Sequence, residues 1–340
     1  MELPFVFLPS LVRFELEELI LDAGVPIELS GFSTVELDQV LLDDEVARVE
    51  VGPLAPGSKE PVVTKIGDIF SLGSHRIVCG DARDPNVLGR LMINDEVARV
   101  VLSDVPYNVP ISGNASTIDR PEFPMASGEM TDREFLDFNI AWMSNSIRYL
   151  VDGGLFGSFI DWRGLHIIRS AAIELGLSLV NLIVWAKTNA GLGSFYRSQH
   201  ELLPLFKKGS VPHVNNVKLG KDGRWRSNLW RYPGASTMGS DARRGLEDHP
   251  TVKPSMMIED ALLDMTNRGD IVLDPFLGSR STLIAAESTG RVCRGSEIDP
   301  TFVDVILRRY ENTAGNSSVL EMTGETFSQV AKKRTEERGP

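Results

Sequence analysis

Four times in this chain a short, mostly apolar run stops at an acid and a turn. Val97–Leu102 leads into Asp104, Leu155–Ile160 into Asp161, Ile271–Leu273 into Asp274 and Val292–Ser296 into Glu297. Runs of this length without polar alternation read as strands buried on both faces. Helical segments separate them. One runs from Pro85 to Leu91 with Asp84 as its N-cap, and one runs from Thr131 to Leu150, opened by a Thr131/Glu134 capping box. Others span Leu165–Leu175, Pro254–Met265, 280–288 and Thr301–Tyr310. Strand and helix in alternation select the α/β class, with a doubly wound, mostly parallel sheet. Ligands of such sheets bind at the carboxyl edge, where these acids are expected to lie.

Composition narrows the function classes. Two cysteines, Cys79 and Cys293, lie far apart and outside any Cys-x-x-Cys pair, so a metal site or disulfide framework is not expected. No apolar run reaches the roughly 18 residues of a membrane helix. The start, Met1-Glu2-Leu3-Pro4-Phe5, lacks the pattern of a secretory signal. A cytoplasmic protein with no membrane partner is the expectation.

The net charge of −12 would argue against a nucleic-acid partner, but the charge is unevenly spread. Residues 1–60 hold thirteen acids and three bases, whereas 187–244 hold eleven bases and three acids. The basic stretch includes Arg197, Arg224 and Arg226 and is interleaved with Tyr196, Trp225, Trp230 and Tyr232. Phosphates and exposed bases call for that combination. A solvated basic face paired with the acidic N-terminus is the competing explanation. The expected domains are an acidic appendage and linker (1–62), a catalytic domain (63–315) with a target-recognition segment at about 207–248, and a flexible tail (316–340). Pro204 interrupts the apolar strand His200–Phe206 and predicts an edge or a bulge. A long Gly/Ser/Pro-rich loop spans 110–128.

Two constellations carry chemistry. In Ser103-Asp104-Val105-Pro106-Tyr107-Asn108 an acid, a stiffened turn and an aromatic ring follow a strand. They suit a flat ring bearing an amine, although acid-X-Pro-Tyr also makes an ordinary turn. In Asp274-Pro-Phe276-Leu-Gly278-Ser279 a Gly-bearing turn links strand to helix, and Glu297 ends the next strand about 20 residues on. That is the arrangement of nucleoside-cofactor sites, or of a generic βαβ turn. The phosphate-cradling Gly-x-Gly-x-x-Gly and Walker patterns are absent, and an acid at the strand end favours a cationic ligand over a pyrophosphate.

Together these segments resemble the amino-methylating DNA methyltransferases. Asp104-Val-Pro-Tyr107 resembles their Asp-Pro-Pro-Tyr motif, and Asp274-Pro-Phe-Leu-Gly-Ser279 their S-adenosylmethionine motif. His249-Pro-Thr-Val-Lys-Pro254 and Glu297-Ile-Asp299-Pro300 match the flanking cofactor motifs. The order, catalytic motif then basic segment then cofactor motif, is that of the circularly permuted β class. Trp185-Ala-Lys-Thr-Asn189 and Gly193–Ser198 look like the phage and prophage DNA-modification branch, often fused to a ParB-like domain, and Gly31–Asp38 looks like the junction.

The resemblance implies a Rossmann-like fold, S-adenosylmethionine as cofactor and double-stranded DNA as partner, with a homodimer and a restriction or ParB-like partner as further expectations. It implies methylation of adenine N6. Asp104 and the Val105 carbonyl would accept the amine protons, in the motif that includes Pro106, and Tyr107 would stack on a flipped base. Asp81, Thr251, Lys253, Asp274, Phe276, Gly278, Ser279, Glu297 and Asp299 are the cofactor candidates, Thr251 and Lys253 at the methionine end. Asn108, Phe195 and Tyr196 would line the base pocket, and Arg197, Arg224, Arg226 and Trp230 would contact the substrate. Two departures stand out: Val105 in place of Pro, and Arg280 in place of a glycine. They leave open a DNA-binding relic without catalysis, and cytosine N4 or RNA as the substrate.

Overall fold

The computed structural model describes residues 33–41, 61–109, 125–191, 195–217, 224–234, 253–278 and 281–337. The strands, in chain order, are β1 (Ile69–Leu72), β2 (His75–Cys79), β3 (Ala98–Asp104), β4 (Leu150–Phe159), β5 (Ser178–Lys187), β6 (His200–Lys207), β7 (Leu229–Tyr232), β8 (Ile271–Asp274), β9 (Val292–Glu297), β10 (Val319–Leu320) and β11 (Glu325–Thr326). The helices are α1 (Thr34–Leu41), α2 (Pro85–Leu91), α3 (Asp132–Arg148), α4 (Leu165–Glu174), α5 (Ser255–Met265), α6 (Ser281–Ser288), α7 (Pro300–Ala314) and α8 (Phe327–Glu336).

One sheet takes the order β11-β10-β1-β2-β9-β8-β3-β4-β6-β5-β7. Its centre, β2-β9-β8-β3-β4, is parallel throughout. Helices cover both faces. Phe135, Phe138, Trp142 and Met143 of α3 pack on one face together with α2 and α4. The other face is covered by Met257, Ala261 and Leu262 of α5, Leu283 of α6 and Val303, Ile306 and Leu307 of α7. This is the doubly wound architecture that the strand–helix alternation predicts. The apolar repeat of α3 is buried as expected, and its capping box is present.

The last two core strands in the chain, β8 and β9, insert between β2 and β3. Their carboxyl ends, Asp274 and Glu297, thereby share an edge with Asp104. Two backbone features keep that edge tight. Gly278 has a φ of 32° in the turn after β8, a region that side chains disfavour. A Cβ on Gly295 would lie 2.7 Å from Leu277 Cδ2, so the turn could not pack over β9.

Three expectations are corrected. Of the edge or bulge expected at Pro204 the edge is not found, because β6 runs antiparallel between β4 and β5, while the β5–β6 register does shift between Leu179 and Asn181, opposite Phe206 and Leu205. Instead the β4–β6 ladder pairs Gly157 with Leu205 and resumes as a bridge at Ile160 and Leu202. The missing proline N–H falls in that gap. The segment 316–340 is not a flexible tail over its described part. β10 adds to β1, Phe327 and Val330 of α8 are buried, and Arg334 pairs with Asp68 at 2.5 Å. The appendage, too, is partly built into the domain. In α1 Val35 and Leu37 are buried, and Asp38 accepts from both terminal nitrogens of the buried Arg291 at 2.9 and 2.7 Å.

Candidate active site

Strand β3 delivers Asp104 to the edge, and the next three residues turn away from the sheet. Val105 is buried, whereas Pro106 and Tyr107 are partly exposed. A buried lysine closes over this turn. Lys253, just before α5, places its Nζ 2.6 Å from Asp104 Oδ2 and 3.1 Å from Glu201 Oε2. It also donates to the Tyr107 hydroxyl at 3.1 Å. The rings of Tyr107, Phe159 and Trp185 surround the ammonium at 5.3–5.8 Å. The Tyr107 hydroxyl is 2.8 Å from Glu201 Oε2 and 3.1 Å from Asp104 Oδ1, and its single proton favours the shorter contact. Lys187, at the end of β5, completes the cluster with a 2.5 Å contact to Glu201 Oε1.

Two carboxylates and two ammonium groups therefore balance in a largely buried space. Burial pushes the Asp104 carboxyl above the ordinary range, and Glu201 adds to this against the pull of Lys253. Burial acts the same way on Glu201, but Lys253 and Lys187 hold it down to about 2. Lys253 stays charged: desolvation is outweighed by the two carboxylates.

The neighbouring acids are held by neutral donors. Asp274 is buried and accepts from the Ser103 hydroxyl at 2.9 Å, the Thr282 hydroxyl at 2.6 Å and the Phe276 N–H at 3.1 Å. Burial raises it to about 6 in spite of these bonds. Glu297 accepts from the Gly278 N–H at 2.9 Å and the Asp299 N–H at 2.8 Å, and burial raises it to about 7. The Ser103–Asp274 bond joins β3 to β8 one residue before Asp104, so the two constellations meet.

The remaining candidates divide. Phe276 is partly buried, edge-on to Trp142 at 5.2 Å and tilted against Phe138 at 6.0 Å. Asp299 caps α7 through the Thr301 N–H, and Asp81 pairs with Arg83 at 2.7 Å in a turn at the same edge. Lys253 is buried and bridges to Asp104. Asn108 is occupied in pinning a loop: it donates to the Met130 carbonyl and accepts from the Gly128 and Met130 N–H groups. Arg224 and Arg226 do not offer a free basic face, since both pair with Asp260 and Asp264 of α5. Trp230 is buried against Tyr232. Phe195 and Tyr196 are 84% and 88% exposed, tilted against each other at 4.2 Å, and line no pocket among the described residues. Arg197 ties their loop together through the Ala190 and Gly191 carbonyls. Thr251, Ser279 and Arg280 lie outside the described residues.

Glu201, Lys187, Ser103 and Thr282 were not singled out from the sequence. Only Glu201 carried a signal, an acid inside an apolar strand, which is rarely buried without a partner.

Comparison with known proteins agrees with this geometry. The DNA methylase family of the N6/N4 type matches residues 98–308, well over half of the chain. The type II methyltransferase M2.MboI of Moraxella bovis is 24% identical over 229 residues, covering 64% of this chain and 81% of that one. Two solved structures share the fold. The M1.HpyAVI–SAM complex has a TM-score of 0.51 at 19% identity, over 68% of this chain and 97% of that chain. The PvuII cytosine-N4-specific DNA methyltransferase has a TM-score of 0.52 at 16% identity, over 70% and 92%. No described helix is long and apolar enough to cross a membrane, and the described residues hold no metal-binding cluster. The fold is that of the Rossmann-like methyltransferases, and the chain belongs to the N6/N4 DNA methylase family.

Proposed function

We propose that this chain transfers a methyl group from S-adenosylmethionine to the N6 amine of an adenine flipped out of double-stranded DNA, as a member of the permuted β class. The observation that supports it most is the junction of the two constellations: Ser103 bonds Asp274 while the next residue, Asp104, pairs with Lys253. An acid at the catalytic position favours adenine over cytosine in the motif that the sequence resembles.

The residues present fit the cofactor. Glu297 accepts backbone N–H groups on both oxygens, from Gly278 and Asp299, with Ile298 as a third backbone donor. The roughly four lone-pair sites of a carboxylate still leave room for a ribose hydroxyl. Phe276 offers an apolar face, and Gly278 a backbone that lets a ligand come close. Asp274 would act at one remove, by holding the turn through the Ser103 and Thr282 hydroxyls and the Phe276 N–H. Lys253, Asp81 and Asp299 complete the proposed contacts, with Thr251 and Ser279 carried from the motif alone. The bound cofactor supplies an electrophilic methyl group on a sulfonium.

The chain's own residues prepare the acceptor. An exocyclic amine is a weak nucleophile because its lone pair is delocalised into the ring. The Asp104 carboxylate and the Val105 carbonyl would accept its two N–H bonds and so favour the pyramidal form. Pro106 fixes the turn that aims them, and Tyr107 supplies the stacking face. The exposed Phe195–Tyr196 pair and Arg197 stand at the same edge as contacts for the DNA. We extend the proposal to a role in DNA modification beside a restriction or ParB-like partner, acting as a homodimer.

The test is transfer of labelled methyl groups to duplex DNA, followed by nucleoside analysis, with Asp104→Ala as control. N6-methyladenine from the unaltered protein alone supports the reading. N4-methylcytosine or methylated RNA would move the substrate. Equal labelling with the control would refute the catalytic assignment. Absence of donor binding in calorimetry with DNA binding intact would mark a relic.

A further inference from the structure

Lys253 is held by two carboxylates at once, and amine activation draws on only one of them. An N–H brought to Asp104 competes for the carboxylate's charge with the Lys253 ammonium, which sits 2.6 Å from Oδ2. An ammonium stripped of its counter-charge in so buried a place is strongly disfavoured. Glu201 lies on the opposite side, 3.1 Å from the same Nζ. It is anchored in turn by Lys187 at 2.5 Å and by the Tyr107 hydroxyl at 2.8 Å.

We propose that Glu201 is a positioning residue: it retains the Lys253 ammonium while Asp104 turns from that ion pair to the exocyclic amine. The inference rests on Asp104 being the amine acceptor. Glu201 touches neither the methyl group nor the amine. It supplies a second place for the cation, so that the base does not have to outcompete a complete ion pair. Its bond to Tyr107 holds the stacking ring as the pair opens.

Glu201→Gln and Glu201→Asp separate this role from simple packing. With donor and duplex saturating, Glu201→Gln is expected to lower kcat about a hundredfold, with the KM for DNA little changed. Glu201→Asp keeps the charge and is expected to recover most of the rate. Adding Lys253→Met to Glu201→Gln removes the competing cation, so at a pH high enough to ionise Asp104 the double variant is expected to be faster than Glu201→Gln alone. A purely structural glutamate predicts the reverse, with losses that multiply. A crystal structure with S-adenosylhomocysteine and duplex DNA adds a readout free of turnover: Lys253 Nζ should stay within hydrogen-bond reach of Glu201 and leave Asp104. Thermal unfolding checks that each variant is folded; if Glu201→Gln is not, Glu201→Asp and the complex carry the test. A wild-type rate in Glu201→Gln, a folded Glu201→Asp as slow as Gln, multiplying losses, or Lys253 still on Asp104 in the complex would each overturn the proposal. Asp104→Ala as active as wild type would instead overturn the catalytic reading, whatever the Glu201 variants do.

Discussion

The carboxyl edge of the sheet holds two pairs of acids, one partly and one fully buried, in opposite electrical settings. Asp104 and Glu201 face ammonium groups from Lys253 and Lys187. Asp274 and Glu297 face only hydroxyls and backbone N–H groups. Burial alone raises a carboxyl pKa, and neutral donors only soften the effect, whereas a nearby cation can reverse it. Glu201 is accordingly held near 2 and Glu297 stands near 7. One half of the edge is fixed as a balanced salt cluster, and the other half titrates close to neutral pH.

Removing the central acid should show the largest effect. Asp104→Ala is expected to lower methyl transfer by about a thousandfold while the protein stays folded, checked by single-turnover labelling beside thermal unfolding. Lys253→Met tests the charged half by another route. It leaves Asp104 and Glu201 facing each other without the shared cation, which should destabilise the fold by about 3–5 kcal/mol in denaturant titration. The same variant should need a higher pH to ionise Asp104, which moves the acid limb of kcat upward.

The neutral half should show itself in the pH dependence of stability. The folded pKa of Glu297, about 7, exceeds the ordinary 4.5. The folded state therefore binds more protons than the unfolded state between those values, and stability falls as pH rises from about 4.5 through 7. The Glu297 share of the fall is on the order of 3 kcal/mol, and Glu297→Gln should remove that share in denaturant titrations at pH 5 and 8, leaving the smaller one from Asp274. If the slope is unchanged in that variant, the contrast between the halves is lost. Ser103→Ala gives the smallest effect. It removes one donor to Asp274, should cost about 1 kcal/mol, and should push the Asp274 carboxyl further above 6.

Local pattern was a sound guide where a residue's role is settled by its immediate neighbours in the chain. Thr131 and Glu134 cap α3 as their spacing requires, and Asp84 caps α2. It misled where a charge meets its partner from far away. Arg224 and Arg226 read as a basic face, yet their partners Asp260 and Asp264 sit about a helix-and-loop later in the chain. The tail after Gly315 looked too polar to pack, but Phe327 and Val330 suffice to seat α8 beside β10.

By itself the sequence determined the strand–helix alternation, the acid at the end of each central strand and the order of the motifs, because these depend on apolar run length and turn chemistry within a few residues. Tertiary structure decided which acids share a cation. Glu201 and Lys253 are 52 positions apart, and each lies about 100 or more from Asp104. Only the insertion of β8 and β9 beside β3, and of β6 beside β4, brings the four elements to one edge. Whether a buried carboxylate there is held ionised or left to titrate follows from those long-range neighbours, and no local pattern encodes it.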